Sequence, residues 1–237
     1  MVWQPRRRKK MTRPEKIKAV TFDVGGTLLK PQPSVGHVYS EVAARHGLSA
    51  APEVLNRKFA AAWRDLDNFS HTREEWAGLV DAVFKGLVPE PPGVTFFDEL
   101  YNRFAERSAW HLFDDVLPAF DDLASKGYQI GVISNWDERL RPLLTGFDLT
   151  KYFDAITVSC ETAFPKPSPV IFEMACRKLG LAPDQILHVG DSPKHDDSGA
   201  RSAGFQSLLL MRGEKTDAPG QIASLNELVR LPSLFRG

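Results

Sequence analysis

A doubly wound α/β fold, with a parallel sheet (Rossmann-like core) and an inserted helical cap, is the architecture this 237-residue sequence predicts. Three observations predict it. Short β-favouring runs alternate with amphipathic helical patterns over the second half of the chain. An isolated run of the same kind, Ile17 to Phe22, stands near the start. Between them, from about Ser34 to His111, the periodicity is helical and no convincing strand occurs.

Taken in order, Ile17 to Phe22 ends at Asp23 and meets Gly25 and Gly26, the pattern of a strand feeding a sharp turn. Four amphipathic stretches follow, Val38 to His46, Pro52 to Leu66, Arg73 to Phe84 and Phe96 to Trp110, broken internally by Pro89 to Gly93. The alternation then resumes. Helices are expected at Val116 to Lys126, Asp137 to Leu144, Pro169 to Leu179 and Asp196 to Ala203. Strands are expected at Tyr128 to Ile133, Ala155 to Val158, Ile186 to Val189 and Phe205 to Met211. Because the helical stretch interrupts this pattern after one strand, the core is discontinuous in sequence. Residues 15–33 and 112–237 form the α/β domain, and residues 34–111 form a cap over the sheet's carboxyl edge, where ligands of such sheets bind. Residues 1–14 form a basic tail.

Hydrophobic residues make up 43% of the chain and charged residues 25%, an ordinary globular balance. The formal net charge is zero, yet Arg6, Arg7, Arg8, Lys9, Lys10 and Arg13 precede the first acidic residue, so the body beyond them is mildly acidic. That balance gives no reason to expect a nucleic-acid groove. Thr12 to Lys18 is too polar for the apolar core of a signal peptide, and the tail reads as a free arm or as an extension upstream of a start at Met11. No run approaches the roughly 20 apolar residues of a membrane helix. Cys160 and Cys176 lack any paired spacing, which fits a reducing, cytoplasmic compartment. The oligomeric state is left open.

Asp23, Ser134, Lys166 and Asp191 each stand at or just beyond the end of an expected strand. A parallel sheet gathers them at one edge although the sequence scatters them. A carboxylate attacking phosphorus needs a cation against charge repulsion, donors for the transferring oxygens and a lysine for the remaining negative charge. Asp23 and Asp191 together suit Mg²⁺, which takes one or two carboxylates with substrate phosphate and waters. Singly, each residue has a structural alternative as a turn residue, a strand-end cap, a solvated charge or a helix cap.

With those residues in hand, Phe22-Asp23-Val24-Gly25-Gly26-Thr27-Leu28-Leu29 resembles motif I of the haloacid dehalogenase superfamily. Ser134-Asn135 resembles motif II, Lys166 motif III, and Gly190-Asp191-Ser192 through Asp196 motif IV. The resemblance spans nearly the whole chain after the tail, and within subfamily IA it is nearest the Reg-2-like subgroup. It implies that Asp23 forms an aspartyl-phosphate and that Ser134, the Asn135 backbone, Lys166, Gly26 and Thr27 surround the phosphoryl group, with Thr27 bracing the loop. Mg²⁺ would be held by Asp23, the Gly25 carbonyl and Asp191, while Asp196 orients Lys166 or the metal waters. The implied function is hydrolysis of a small phosphorylated metabolite.

One departure stands out. Phosphatases of the superfamily carry a second aspartate two residues after the nucleophile as general acid and base, and this chain has Gly25. Glu161 and His195 adjoin the motifs as possible substitutes, although loop or helix-surface placement suits both. Trp136 is a candidate pocket wall, and His37, Tyr39 and Arg64 are candidate cap contacts. Two other functions stay open: a metal-independent 2-haloacid dehalogenase, which uses the same nucleophile, and a catalytically weak phosphate-binding protein, which Gly25 favours.

Overall fold

The first strand, β1 (Ala19–Phe22), is buried along its whole length, as a β-favouring run without alternation should be inside a parallel sheet. The computed structural model describes residues 17–64, 66, 69–214, 216–228 and 230, so the basic tail lies outside the described residues. After β1 come β2 (Leu29–Pro31), four helices, α1 (Val35–Arg45), α2 (Pro52–Arg64), α3 (Arg73–Phe84) and α4 (Phe97–Arg103), and then β3 (Trp110–Leu112). Strands and helices then alternate through α5 (Val116–Ser125), β4 (Gln129–Ser134), α6 (Leu140–Gly146), β5 (Ala155–Val158), α7 (Ser159–Thr162), α8 (Pro169–Leu179) and β6 (Ile186–Gly190). The described chain closes with α9 (Gly199–Ser202), β7 (Gln206–Leu210), β8 (Gln221–Ile222) and α10 (Leu225–Leu228).

Six of these strands form one sheet in the order β5-β4-β1-β6-β7-β8, with every pairing parallel. Phe22 stands level with Val132 on one side and Val189 on the other, so β1, β4 and β6 end at the same edge. The strand order turns back at β1, which opens the crevice where ligands of such sheets bind. One apolar cluster, including Phe22, Phe120, Leu123 and Leu140, and another, including Ile133, Ile171, Phe172 and Phe205, cover the sheet. A third cluster draws only on residues from 35 to 104, with Val42, Leu55, Val83, Phe84, Phe96 and Leu100 at its centre.

Local chemistry sets several boundaries. The α3 helix begins at a capping box, in which the Thr72 hydroxyl accepts from Glu75 N at 3.2 Å and the Glu75 carboxylate accepts from Thr72 N at 3.1 Å. The α8 helix has Ser168 as its N-cap, Pro169 in its first turn and Gly180 at φ 68° closing it. Both run over the expected ranges. Elsewhere the sequence reading needs correction. The stretch Phe96 to Trp110 leaves helix after Arg103 and becomes β3, which pairs antiparallel with β2; local periodicity does not reveal a partner so far upstream. The helix expected from Asp137 starts at Leu140, because the Asp137 carboxylate accepts from Arg139 N at 3.1 Å and holds a turn instead. Between Pro193 and Ser198 the backbone forms a π-type turn, so regular helix begins only at Gly199. Among the described residues, no helix is long and apolar enough to cross a membrane.

Candidate active site

Asp23 leaves β1 with its N–H donating to Val189 O at 2.9 Å, and the residue is 8% exposed. Its Oδ1 accepts from Ser134 Oγ at 2.9 Å and from Lys166 Nζ at 2.7 Å. The same ammonium donates to Asp196 Oδ1 at 2.5 Å and to Ile133 O at 2.9 Å, which engages all three of its protons. Asn135 fixes the lysine from below: its Oδ1 accepts from Lys166 N at 2.6 Å and its Nδ2 donates to Lys166 O at 3.0 Å. Asp196 is fixed in turn, because its Oδ2 accepts from Ser192 N at 2.9 Å and its Oδ1 accepts from His188 Nε2 at 3.0 Å. On the other side of the ring, His188 Nδ1 meets Thr21 Oγ1 at 3.0 Å.

These contacts set the charges. Burial works against the Lys166 ammonium, but the Asp196 and Asp23 carboxylates beside it outweigh burial and hold its pKa above the usual lysine range. Burial also acts on Asp196, where Lys166 and His188 overcome it and keep that carboxyl well below its ordinary value. Asp23 moves the other way: burial, helped by the Asp196 charge, raises it against the pull of Lys166 and Ser134. Asp191 is exposed on the cavity floor, yet its carboxyl is raised to about 7, first by loss of water from the protein packed around it and then by repulsion from Asp23 and Asp196. That repulsion is what a divalent cation would relieve.

Two glycines make room for this cluster. At Gly26, where φ is 75°, a Cβ would stand 2.2 Å from Asp191 Oδ2, and at Gly190 it would stand 2.2 Å from Asp196 Cγ. The residues open onto a cavity of about 1100 Å³, floored by Asp23, Ser134, Lys166, Asp191 and Asp196 and walled by aromatic side chains from α2 to β3 and from the segment after β4.

Residues 17–204 match the family model for haloacid dehalogenase-like hydrolase. The chain belongs to the haloacid dehalogenase-like hydrolases. It is 31% identical to human haloacid dehalogenase-like hydrolase domain-containing protein 3, over 85% of this chain and 84% of that one. A phosphoglycolate phosphatase of Yersinia pestis is 30% identical, over 83% and 82%. A HAD phosphatase of Thermococcus onnurineus superposes with a TM-score of 0.66 at 26% identity, over 90% of this chain and 97% of that one. A magnesium-bound HAD hydrolase of Bacillus subtilis shares the fold with a TM-score of 0.77 at 19% identity, over 91% and 98%.

Within this hydrolase, Asp23, Ser134, Lys166 and Asp196 are joined by direct hydrogen bonds, and Gly25, Gly26, Asn135 and Asp191 line the same cavity. Carboxylate oxygens of Asp23, Asp191 and Asp196 lie within 4.8 Å of one another. Among the described residues no hydrogen bond reaches Asp23 Oδ2, and Asp196 is already bonded through both oxygens, so Asp23 and Asp191 are the pair fitted to a cation. Thr27 stands apart from the phosphoryl surroundings expected for it. It is fully buried outside the cavity lining, and it braces the loop through its carbonyl, which accepts from Arg212 at 2.7 and 3.0 Å. Glu161 is bound by Arg141 away from the cavity lining, whereas His195 lines the cavity beside Ser192. Tyr39 and Arg64 line it as well; His37 does not, its ring being bonded to Ser34 at 2.8 Å.

The sequence reading passed over His188, Asp137 and Arg139. The one available signal for His188 is its alternation with Leu187 and Val189, which turns it towards Thr21 in the neighbouring strand. Arg139 has no local signal. Its Nε and Nη2 donate to Asp137 at 2.8 and 2.5 Å and its Nη1 to Tyr101 O at 2.9 Å, with the guanidinium 3.6 Å from the Tyr101 ring centre.

Proposed function

We propose that this hydrolase transfers the phosphoryl group of a small phosphomonoester to Asp23 and then to water, with Mg²⁺ as its cofactor. The observation that supports it most is the Lys166 ammonium, held between Asp23 and Asp196 while Ser134 donates to the same Asp23 oxygen. Two fixed donors meet at the nucleophile, which is the arrangement that stabilises charge gathering on transferring oxygens. Asp23 and Asp191 would hold the magnesium ion, which would supply the positive charge that lets a carboxylate approach a phosphate. When the phosphoryl group binds, Ser134 and Lys166 turn towards its oxygens the protons they otherwise donate to Asp23, while Asp196 and His188 keep Lys166 in place and Asn135 fixes the lysine backbone.

Residues 34–111 act in this reading as a cap, hinged at the β2 and β3 ribbon, that closes over the substrate and excludes water. The unpaired cysteines fit a reducing, cytoplasmic setting. A 2-haloacid needs a cation for its own carboxylate; Arg139 is already committed to Asp137 and Tyr101, which leaves Arg64 and Lys194 of the cavity lining for that role. The test is covalent labelling by acetyl phosphate in the presence of Mg²⁺, compared between wild type and Asp23→Asn. Label confined to the wild type supports the reading, and equal label in both ends it.

A further inference from the structure

Position 25 takes its meaning from its neighbour. A Cβ on Gly25 would lie 3.4 Å from Cζ3 of Trp136, so the indole covers the place where a longer side chain would project. Trp110 packs on Trp136 with 5.1 Å between ring centres. Where a phosphatase with the second aspartate would have a carboxyl group beside its nucleophile, this chain has a pair of aromatic rings.

The same character continues up the cavity. Trp63 stacks on Trp76 at 5.8 Å, and Phe69 meets Trp76 edge-on at 4.9 Å. Arg139 is held in the wall by Asp137 and by the Tyr101 carbonyl. Nearby, burial pushes His71 down to about 4, against the pull of Asp137 and Glu75, so its ring is neutral at physiological pH. Trp76 Nε1 and His71 Nδ1 have no hydrogen-bond partner among the described residues. The rings of the wall therefore suit a flat group with some polar atoms, while among the described residues the cations of the cavity beyond its floor are Arg64, Arg139 and Lys194.

We propose that the substrate is the phosphate monoester of a hydroxyl borne directly on an aromatic or heteroaromatic ring, with the ring seated against Trp110 and Trp136. This rests on the phosphoryl-transfer reading of Asp23. The Asp23 carboxylate forms a bond to phosphorus while the bond from phosphorus to the ring oxygen breaks. The electron pair leaves on that oxygen, which takes a proton from solvent. Water then attacks the phosphorus of phospho-Asp23, releasing inorganic phosphate and a proton and restoring the carboxylate. An aryloxide needs less help from a proton donor than an alkoxide does, so the missing acid at position 25 and the aromatic wall that replaces it select the same substrates.

The test separates seating of the ring from reactivity of the ester. Phenylphosphonate and cyclohexylphosphonate carry the same charge and no ester to cleave. Their affinities for the full Mg²⁺-loaded chain are measured by quenching of tryptophan fluorescence and by competition with acetyl phosphate. Phenylphosphonate binds about tenfold more tightly, Trp110→Leu removes most of that preference, and Trp110→Phe, which keeps a ring, retains it. Phenyl phosphate is hydrolysed faster than benzyl phosphate, whose leaving group is an alkoxide. Equal affinity for the two phosphonates overturns the ring seat, and equal rates on the two esters overturn the aryloxide. If acetyl phosphate leaves Asp23 unlabelled, the phosphoryl-transfer reading falls, while the phosphonate pair still decides whether the walls hold a ring.

Discussion

At the floor of the cavity Lys166 has all three protons engaged and Asp196 accepts through both oxygens, whereas in the wall above it Trp76 Nε1 and His71 Nδ1 have no partner among the described residues. The floor is a polar network in which each group fixes the next, so its geometry is set before any ligand arrives. The wall is held by ring packing and tolerates unmet polar atoms. Fixed charge suits a step common to all substrates, and adaptable apolar surface suits the group that differs between them.

The most damaging way to test the floor is to remove its cation. Lys166→Met leaves the Asp23 and Asp196 carboxylates buried without a counter-charge, a loss of about 3–5 kcal/mol, and hydrolysis should fall by at least about 10³-fold. Urea denaturation of the purified variant measures the first and initial rates the second. Adding Asp23→Asn should restore part of the stability and none of the activity. A Lys166→Met protein as stable as wild type would show that the network is looser than its hydrogen bonds imply.

Asp191 is where floor and ligand meet. Asp191→Ala should raise the Mg²⁺ concentration for half-maximal rate by more than the roughly 10- to 100-fold typical of losing an outer partner of a metal site. The unfolding midpoint without metal should hold or rise, since Asp23 and Asp196 repel the Asp191 charge. An unchanged Mg²⁺ titration would take Asp191 out of the metal site.

Position 25 sharpens the contrast, because there the wall has displaced a floor residue. Gly26 has a left-handed backbone at φ 75° but Gly25 does not, and a side chain at 25 meets only the Trp136 ring, at ordinary contact distance. Gly25→Asp should therefore fold and push Trp136 aside. If proton transfer limits turnover, steady-state hydrolysis of an alkyl phosphate should rise about 10²-fold. No gain in the folded variant would mean that another group already carries the proton; His195 lines the cavity, while Glu161 is tied to Arg141.

The same division explains what the sequence disclosed. Asp23, Ser134 and Asp191 were legible because each stands at a strand end, and the parallel order of β1, β4 and β6 brings those ends to one edge; Lys166, expected just beyond a strand, comes instead from the loop after α7, which follows β5. The π-type turn that carries Asp196 to Lys166 was not foreseen, since plain helix was expected from Asp196 onward. The wall was hardly legible. Trp63, Phe69, Trp76 and Trp110 come from three elements and the connections between them, and helical periodicity marks such residues as core without saying that they border a cavity. Thr27, taken with its motif as part of the phosphate surroundings, is turned into the interior instead.

The smallest expected effect concerns His71, whose ring is buried in the wall and whose backbone holds φ 65°. Its pKa falls to about 4 in the folded protein because burial outweighs the attraction of Asp137 and Glu75, whereas an unfolded chain restores a value of about 6.5. Between those two values the unfolded chain carries a proton on His71 that the folded protein does not, so protonation favours unfolding. The contribution of this residue to stability is complete above about 6.5, declines as the pH falls and is fully lost below about 4. His71→Asn removes the titration and keeps a residue that accepts a left-handed backbone. Urea midpoints for wild type and variant at pH 7 and pH 4.5 should show a smaller acid loss in the variant, because every other acid-sensitive group is common to both. Equal losses would mean that His71 is solvated or paired in solution, and the wall would then be less dry than the floor beneath it.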